Sequence, residues 1–269
     1  MTEEVTARVR RSARYRDVDP ELVARLAIEE LPRARNADEA TKRVKRRLHQ
    51  AVGAFRGASD AGLLAHLRQA WTGSLRADVF RDACRAALAS HASTRERLPV
   101  LADFYARTWE RTGGPPSRLA DLGCGLNPLA LPWMGLLPET HYLAVEADRR
   151  PLELVSGFLD LVDQPHEVRS TDLVTDPPPD EVDVALLLKL VPTLDQQDPE
   201  AATRLLGAIR ARHAVVTFPA ASLGGRGKGM QRTYRARFDR LVAELGPRVM
   251  DVAEASVPGE LIFVLELAA

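Results

Sequence analysis

The sequence predicts a doubly wound α/β domain with a mostly parallel, seven-stranded sheet, preceded by a helical N-terminal domain. Three observations carry that expectation. From Pro20 to about Trp109, apolar residues recur at helical spacing. The run Thr112-Gly113-Gly114-Pro115-Pro116-Ser117 then breaks the pattern. Beyond it, short β-rich runs alternate with helical or loop stretches, and several are apolar on both faces, as buried parallel strands are.

Taken in order, Leu22, Val23, Leu26 and Ile28 open one apolar stripe. Val44, Leu48, Val52 and Phe55 form a second, at i, i+4, i+8 and i+11. Leu63, Leu64 and Leu67 mark a third helix, and Val79, Phe80, Cys84 and Leu88 a fourth. Ser93-Thr94-Arg95-Glu96 reads as a capping box, with Ser93 as N-cap and Glu96 at N3. The helix it opens buries Leu101, Phe104, Tyr105 and Trp109. The breaker run divides a helical domain, residues 1–112, from a sheet domain, residues 113–269. Strands are expected at Leu119–Leu122, His141–Val145, His166–Ser170, Val182–Leu188, Ala214–Phe218, Arg248–Val252 and Leu261–Leu265. Pro258-Gly259 joins the last two as an antiparallel hairpin at one edge.

Thirty-seven basic and 37 acidic residues cancel, but the balance hides clustering. Arg8, Arg10, Arg11, Arg14 and Arg16 have no acid between them. Lys42, Arg43, Lys45, Arg46, Arg47 and Arg56 likewise run without one, whereas charge from Asp176 to Glu200 is mostly acidic. This asymmetry points to an anionic partner on the N-terminal part. With only Cys84 and Cys124, a disulfide framework and a four-thiolate zinc site are both excluded, and no metal site is expected. No apolar run is long enough to span a bilayer, and Met1-Thr2-Glu3-Glu4 lacks the layout of a signal peptide. A reduced, cytoplasmic protein is the expectation.

Asp121-Leu122-Gly123-Cys124-Gly125-Leu126-Asn127-Pro128 follows the first expected strand. Glycines there let the backbone approach a ligand, and the next helix N-terminus offers free N–H groups. Pro128 stands where a dinucleotide fold wants its third glycine, which disfavours NAD and FAD. Asp121, just ahead of Gly123 and Gly125, suits a ligand with a cationic amino group and little phosphate, as S-adenosylmethionine is. Glu146 ends the second strand, where a carboxylate meets ribose hydroxyls. Asp172 follows the third, placed to accept from an adenine amino group. Cys124 lies inside the loop and reads as a small packing residue.

These motifs resemble the Arm/Rmt-type aminoglycoside-resistance methyltransferases, which make N7-methylguanine in the decoding site of 16S rRNA. The resemblance rests on Lys42-Arg43-Val44-Lys45-Arg46-Arg47-Leu48-His49, on His91 to Pro99, on Asp121 to Gly135, on Leu186-Leu187-Leu188-Lys189 and on Val215 to Met230. It is strongest toward the branch from aminoglycoside-producing bacteria. It implies a Rossmann-like S-adenosylmethionine methyltransferase domain and, as substrate, 16S rRNA in the 30S subunit, approached by a monomer. Phe55, His91, Ala92, Ser93 and Arg97 match positions that close the cofactor pocket from the helical side. Gly123, Glu146, Asp172, Leu173, Leu188 and Gln197 match positions around the methionine, ribose and adenine. Some relatives carry Ala at 123 and Asp at 146, and Gly and Glu preserve that chemistry. Lys189, Arg226 and Lys228 match the region placed near the target base. The basic stripe Lys42, Arg43, Lys45, Arg46 and Arg47 is expected to contact RNA phosphates.

No catalytic base is expected, because guanine N7 offers a lone pair and carries no proton. Leu188-Lys189-Leu190-Val191-Pro192 after the fourth strand, where an Asp/Asn-Pro-Pro-aromatic motif would serve an amine, agrees with this. Two alternatives stay open on the residues alone: a methyltransferase for another RNA or a small molecule, and an inactive RNA-binding relative.

Overall fold

A computed structural model describes residues 1–52, 60–220 and 227–268. Three helices open the chain: α1 (Thr2–Arg10), α2 (Pro20–Glu30) and α3 (Ala37–Ala51). Asp19 caps α2 by accepting from the Glu21 and Leu22 amides at 2.9 and 3.1 Å, with Pro20 as its first residue. Asn36 caps α3 through the Glu39 amide. Val5, Val9, Leu22, Leu26, Val44 and Leu48 close a small core of their own. Ile28, expected in that stripe, is 60% exposed, because it lies a half-turn away from Leu22 and Leu26.

Among the described residues, four more α-helices precede the sheet: α4 (Asp60–Ala70), α5 (Asp78–Ala89), the single turn α6 (Ala92–Arg95) and α7 (Leu101–Thr112). Phe80, Cys84 and Leu88 are buried on α5 as expected, while Val79 faces out. Gly113, left-handed at φ 81°, ends α7. Ser93 and Glu96 form no capping box. His91 precedes α6, no side chain caps it, and α7 starts only at Leu101. Thr94, buried, donates instead to the Leu88 carbonyl at 2.5 Å.

The sheet comprises β1 (Arg118–Leu122), β2 (His141–Glu146), β3 (His166–Ser170), β4 (Glu181–Leu188), β5 (Arg210–Pro219), β6 (Val249–Val257) and β7 (Glu260–Leu267), in the order β3-β2-β1-β4-β5-β7-β6. The first five pair in parallel; β7 runs antiparallel to β5 and β6. All seven expected strands are present, with β5 and β6 longer than their apolar runs because they continue through polar edge positions. Successive residues face opposite layers. Leu119, Tyr142, Ala144 and Leu186 meet α4, α5, α7 and the later α8 (Leu131–Met134) and α9 (Arg149–Leu161). Ala120, Leu122, Leu143, Val145 and Leu187 meet α10 (Val191–Asp195), α11 (Ala201–Ala208) and α12 (Gly227–Leu245). Helices on both faces make the doubly wound architecture.

The turn at Gly113 is not where the cores divide. Phe80 on α5 stacks on Phe158 of α9 at 6.0 Å, and Trp109 on α7 donates to the Met134 carbonyl. The helices from α4 onward thus share the core of the sheet, and each large apolar side chain closed off there contributes about 1.5–3 kcal/mol. Among the described residues, α1 to α3 keep a separate core.

Candidate active site

Strand order reverses between β1 and β4, so a crevice opens outside their carboxyl ends. Gly123 and Gly125 turn the chain there at φ 67° and 50°, in the left-handed region that favours glycine. A Cβ on Gly123 would also stand 2.8 Å from Leu190 Cδ1. The Gly123 and Cys124 amides both donate to the Val145 carbonyl, at 2.8 and 3.0 Å. Glu146 at the end of β2 accepts from the Gly125 amide at 3.0 Å and from the Ala147 amide at 2.8 Å. Burial pushes its carboxyl above the ordinary range. The loop continues into a 3₁₀ turn, Asn127–Ala130, and then the single turn of α8. The helix N-terminus expected after the glycines is thus that of short pieces, which Pro128 and Pro132 open at their first turns.

Asp121 is 1% exposed. Its Oδ2 accepts from Asn127 Nδ2 at 2.8 Å and from the Tyr142 hydroxyl at 2.7 Å. Its Oδ1 has no partner among the described residues, and neither does the buried Nδ1 of His91. That nitrogen lies 4.0 Å from where a Cβ on Gly125 would stand. Burial raises the Asp121 carboxyl and lowers His91, so His91 stays neutral near pH 7. Cys124 is buried and its thiol is pushed well up, which suits a packing residue.

Beside Asp121 runs a buried polar chain. Arg97 grips Glu260 with Nε at 3.0 Å and Nη2 at 2.6 Å, and its Nη1 donates to Asn127 Oδ1 at 2.9 Å. Tyr105 donates to the same Oδ1. Burial acts upward on Glu260, but the Arg97 guanidinium, with Lys189 and the Thr217 hydroxyl, outweighs it and holds the carboxyl below its usual range. Lys189 stands after β4 at φ 58°, rare for a residue with a side chain. Its Nζ donates to Glu96 at 2.6 Å and to the Ser93 carbonyl at 3.2 Å, and lies 3.7 Å from Glu260. The Lys189 charge is therefore paired within the fold. Ala92 and Leu188 are half-buried nearby.

Asp172 and Gln197 come together on the opposite side, along with buried Leu173. Both are engaged by Arg25 of α2, a residue with no motif to mark it. Arg25 Nε donates to Asp172 Oδ2 at 2.5 Å, and its Nη2 donates to Asp172 Oδ1 at 3.2 Å and to Gln197 Oε1 at 2.8 Å.

The chain matches, over residues 11–264, the family described as ribosomal RNA methyltransferase (FmrO). It belongs to that family. Among its relatives, a 16S rRNA (guanine(1405)-N(7))-methyltransferase of Frankia casuarinae is 41% identical, the alignment covering 96% of this chain and 90% of the relative. One of the same name from Micromonospora echinospora is 38% identical, covering 98% and 96%. The crystal structure of the 16S rRNA methyltransferase RmtF in complex with S-adenosyl-L-homocysteine superposes with a TM-score of 0.84 at 34% identity, over 99% of this chain and 98% of that one.

In this ribosomal RNA methyltransferase the expected basic stripe is divided. Arg43 and Arg47 turn inward to Glu30 and Glu29 of α2, acids that a linear scan of the stripe does not see. Lys42, Lys45 and Arg46 form no ion pair among the described residues. Arg14 reaches His49 at 2.9 Å, and Tyr15 donates to the Lys45 carbonyl, so the arginine-rich segment before α2 lies against the same helix. Phe55, Arg56, Arg226 and the Lys228 side chain fall outside the described residues. No group of metal ligands occurs among the described residues, and none of their helices is long and apolar enough to cross a membrane.

Proposed function

We propose that the protein is a 16S rRNA (guanine(1405)-N(7))-methyltransferase that uses S-adenosylmethionine and confers resistance to kanamycin- and gentamicin-type aminoglycosides. The observation that carries the cofactor reading is the orphaned, buried Asp121 Oδ1 beside the Gly123–Gly125 turn. A buried acceptor without a partner is costly, and a cationic amino group satisfies it. His91 Nδ1 offers a second such atom at the same loop.

When bound, S-adenosylmethionine supplies a methyl group on a positively charged sulfur. Asp121, His91 and the Gly123–Gly125 backbone would hold its methionine end. Glu146 has spare lone pairs beyond its two amide contacts, and these suit ribose hydroxyls. Asp172, Leu173, Leu188 and Gln197 would enclose the adenine, with Phe55, Ala92, Ser93 and Arg97 closing the helical side. Guanine N7 needs no base, so the residues' task is to align the nucleophile and exclude water. Lys189, Arg226 and Lys228 position the guanine, whose extrusion from its stack costs a few kcal/mol. Lys42, Lys45 and Arg46 contact phosphates, drawing the helical region 1–112 onto RNA; Arg43 and Arg47 support them from behind. The protein acts as a monomer in the cytoplasm, on the 30S particle.

Methylation removes an N7 acceptor and adds a positive charge, both of which oppose a polycationic drug. The test is methyl incorporation into 30S subunits and free 16S rRNA, with drug sensitivity of an expressing strain. Incorporation and survival on gentamicin, with neomycin and apramycin still lethal, are the expected results. Lys189→Ala, confirmed as folded, should lose protection. Equal gentamicin sensitivity of expressing and empty-vector cells, with soluble protein present, overturns the reading.

A further inference from the structure

Arg25 sits on α2, a helix that builds the N-terminal core, yet its guanidinium points away from that core to meet the two residues assigned to adenine. Its helix is anchored for this purpose. The Asp19 amide donates to the Ala147 carbonyl at 2.8 Å, and the Arg149 amide donates to the Asp17 carbonyl at 2.9 Å, which docks the start of α2 onto the turn after Glu146. Behind Arg25, Glu29 accepts from its Nη1 at 2.9 Å and also pairs with Arg47. Arg47 in turn donates to the Gln197 main-chain carbonyl at 3.0 Å. A closed circuit of Arg25, Gln197, Arg47 and Glu29 results, with Asp172 bound to it through Arg25, drawn from α2, α3 and two loops of the sheet domain.

Donor and acceptor chemistry then decides what the pocket presents. Arginine carries only donors, so the Gln197 oxygen must face Arg25, and the NH2 end of the amide, with its two donors, is held facing away from Arg25. A carboxylate has about four lone-pair sites. Asp172 spends three, two on Arg25 and one on the Val174 amide at 3.1 Å. One acceptor site remains on Oδ2. The pocket thus offers one acceptor and one donor group, the complement of an adenine edge with its amino group and ring nitrogen. Burial acts to lower Arg25, but Asp172 outweighs it, and the guanidinium stays charged.

Resting on the reading of Asp172 and Gln197 as the adenine side, we propose that Arg25 is a positioning residue that sets the polarity of the adenine pocket. Without it, Gln197 is free to turn its amide over and accept, and the pocket ceases to tell a bare ring nitrogen from a protonated one, while Asp172 still selects the amino group.

The probe is a pair of ligands: S-adenosylhomocysteine and its inosine analogue, in which a carbonyl replaces the amino group and the adjacent ring nitrogen gains a proton. The analogue reverses both hydrogen bonds. Calorimetry on the full chain should show wild type preferring S-adenosylhomocysteine by more than about tenfold, the size of one mismatched buried hydrogen bond. In Arg25→Ala that preference should fall by at least about threefold, Asp172 keeping the remainder, with KM for S-adenosylmethionine raised more than kcat is lowered. A purely structural role would weaken both ligands alike and leave the ratio unchanged, and that result overturns the proposal. Should Arg25→Ala not fold, Arg25→Lys serves: it keeps a cation but loses the fork that spans Asp172 and Gln197, and the ratio should still drop. Wild type that binds both ligands equally also defeats the proposal. Wild type that binds neither defeats the cofactor assignment itself.

Discussion

On one wall of the crevice Arg97 and Glu260 are closed off together, at 3% side-chain exposure each, within the core that packs under the sheet. On the other, Arg25 and Asp172 meet at 13% and 4% where the separate core of α1 to α3 abuts the sheet. Both are arginine–carboxylate forks made by the same chemistry. The first is part of what makes the chain fold. The second forms only because an independently packed layer docks, so its loss should be felt in binding before folding.

The sharpest break of that contrast is Arg97→Met. It strands a buried carboxylate and should destabilise the protein by about 3–5 kcal/mol, read from urea unfolding. Adding Glu260→Gln should restore much of the loss, whereas an equally large loss in the double variant would show that packing, not charge, was at stake.

A pH series sharpens the same point. The Glu260 carboxyl is held below its ordinary range, so its contribution is full above about pH 5 and is lost as pH falls through and below about 4. Unfolding midpoints should therefore drop on acidification in wild type and drop less in the Arg97→Met, Glu260→Gln variant. Parallel curves for the two proteins would remove Glu260 from the account. Asp121 behaves oppositely: burial raises its pKa, so a cationic ligand should bind more weakly as pH falls through a range above the ordinary carboxylate one. Calorimetry with S-adenosylhomocysteine should show this in wild type and a flatter profile in Asp121→Asn.

Glu146→Ala probes the floor between the two walls. Loss of the proposed ribose contacts should weaken cofactor binding by about 1–3 kcal/mol while the fold survives. Unchanged affinity in a folded variant would reassign Glu146 to holding the Gly125 turn alone.

The smallest effect on the crevice is expected from Lys42, Lys45 and Arg46. Replacing all three with alanine should lower the salt slope of RNA binding by about 2 to 3 with cofactor affinity intact. Arg43→Ala, whose side chain faces Glu30, should barely alter the slope. An equal change from both sets would mean the stripe acts as one field rather than as an outer and an inner row.

Much of this arrangement was legible along the chain. The strands stand out because burial on two faces demands unbroken apolar runs, and Asp121, Gly123, Gly125 and Glu146 stand out because each sits at a strand end beside a turn only glycine favours. The partners of the carboxylates were not legible. Arg25 is 147 residues from Asp172 and Arg97 is 163 from Glu260, and arginines are common in this sequence, so no spacing marks either pair. Ser93-Thr94-Arg95-Glu96 misled for a related reason: Glu96 is drawn to Lys189 across the fold, a stronger contact than a backbone amide offers.

By itself, then, the sequence determined the alternation of strands and helices, the glycine turn and the acids around it, since these follow from local conformational preference and the period of burial. Tertiary structure decided which charges are spent on one another and which remain for ligands. Arg43 and Arg47 were committed to Glu30 and Glu29, Asp172 was shared with Arg25, and Asp121 was left with one oxygen open. The physical reason is that a buried charge must find its partner through space, and distance along the chain carries no information about who that partner is.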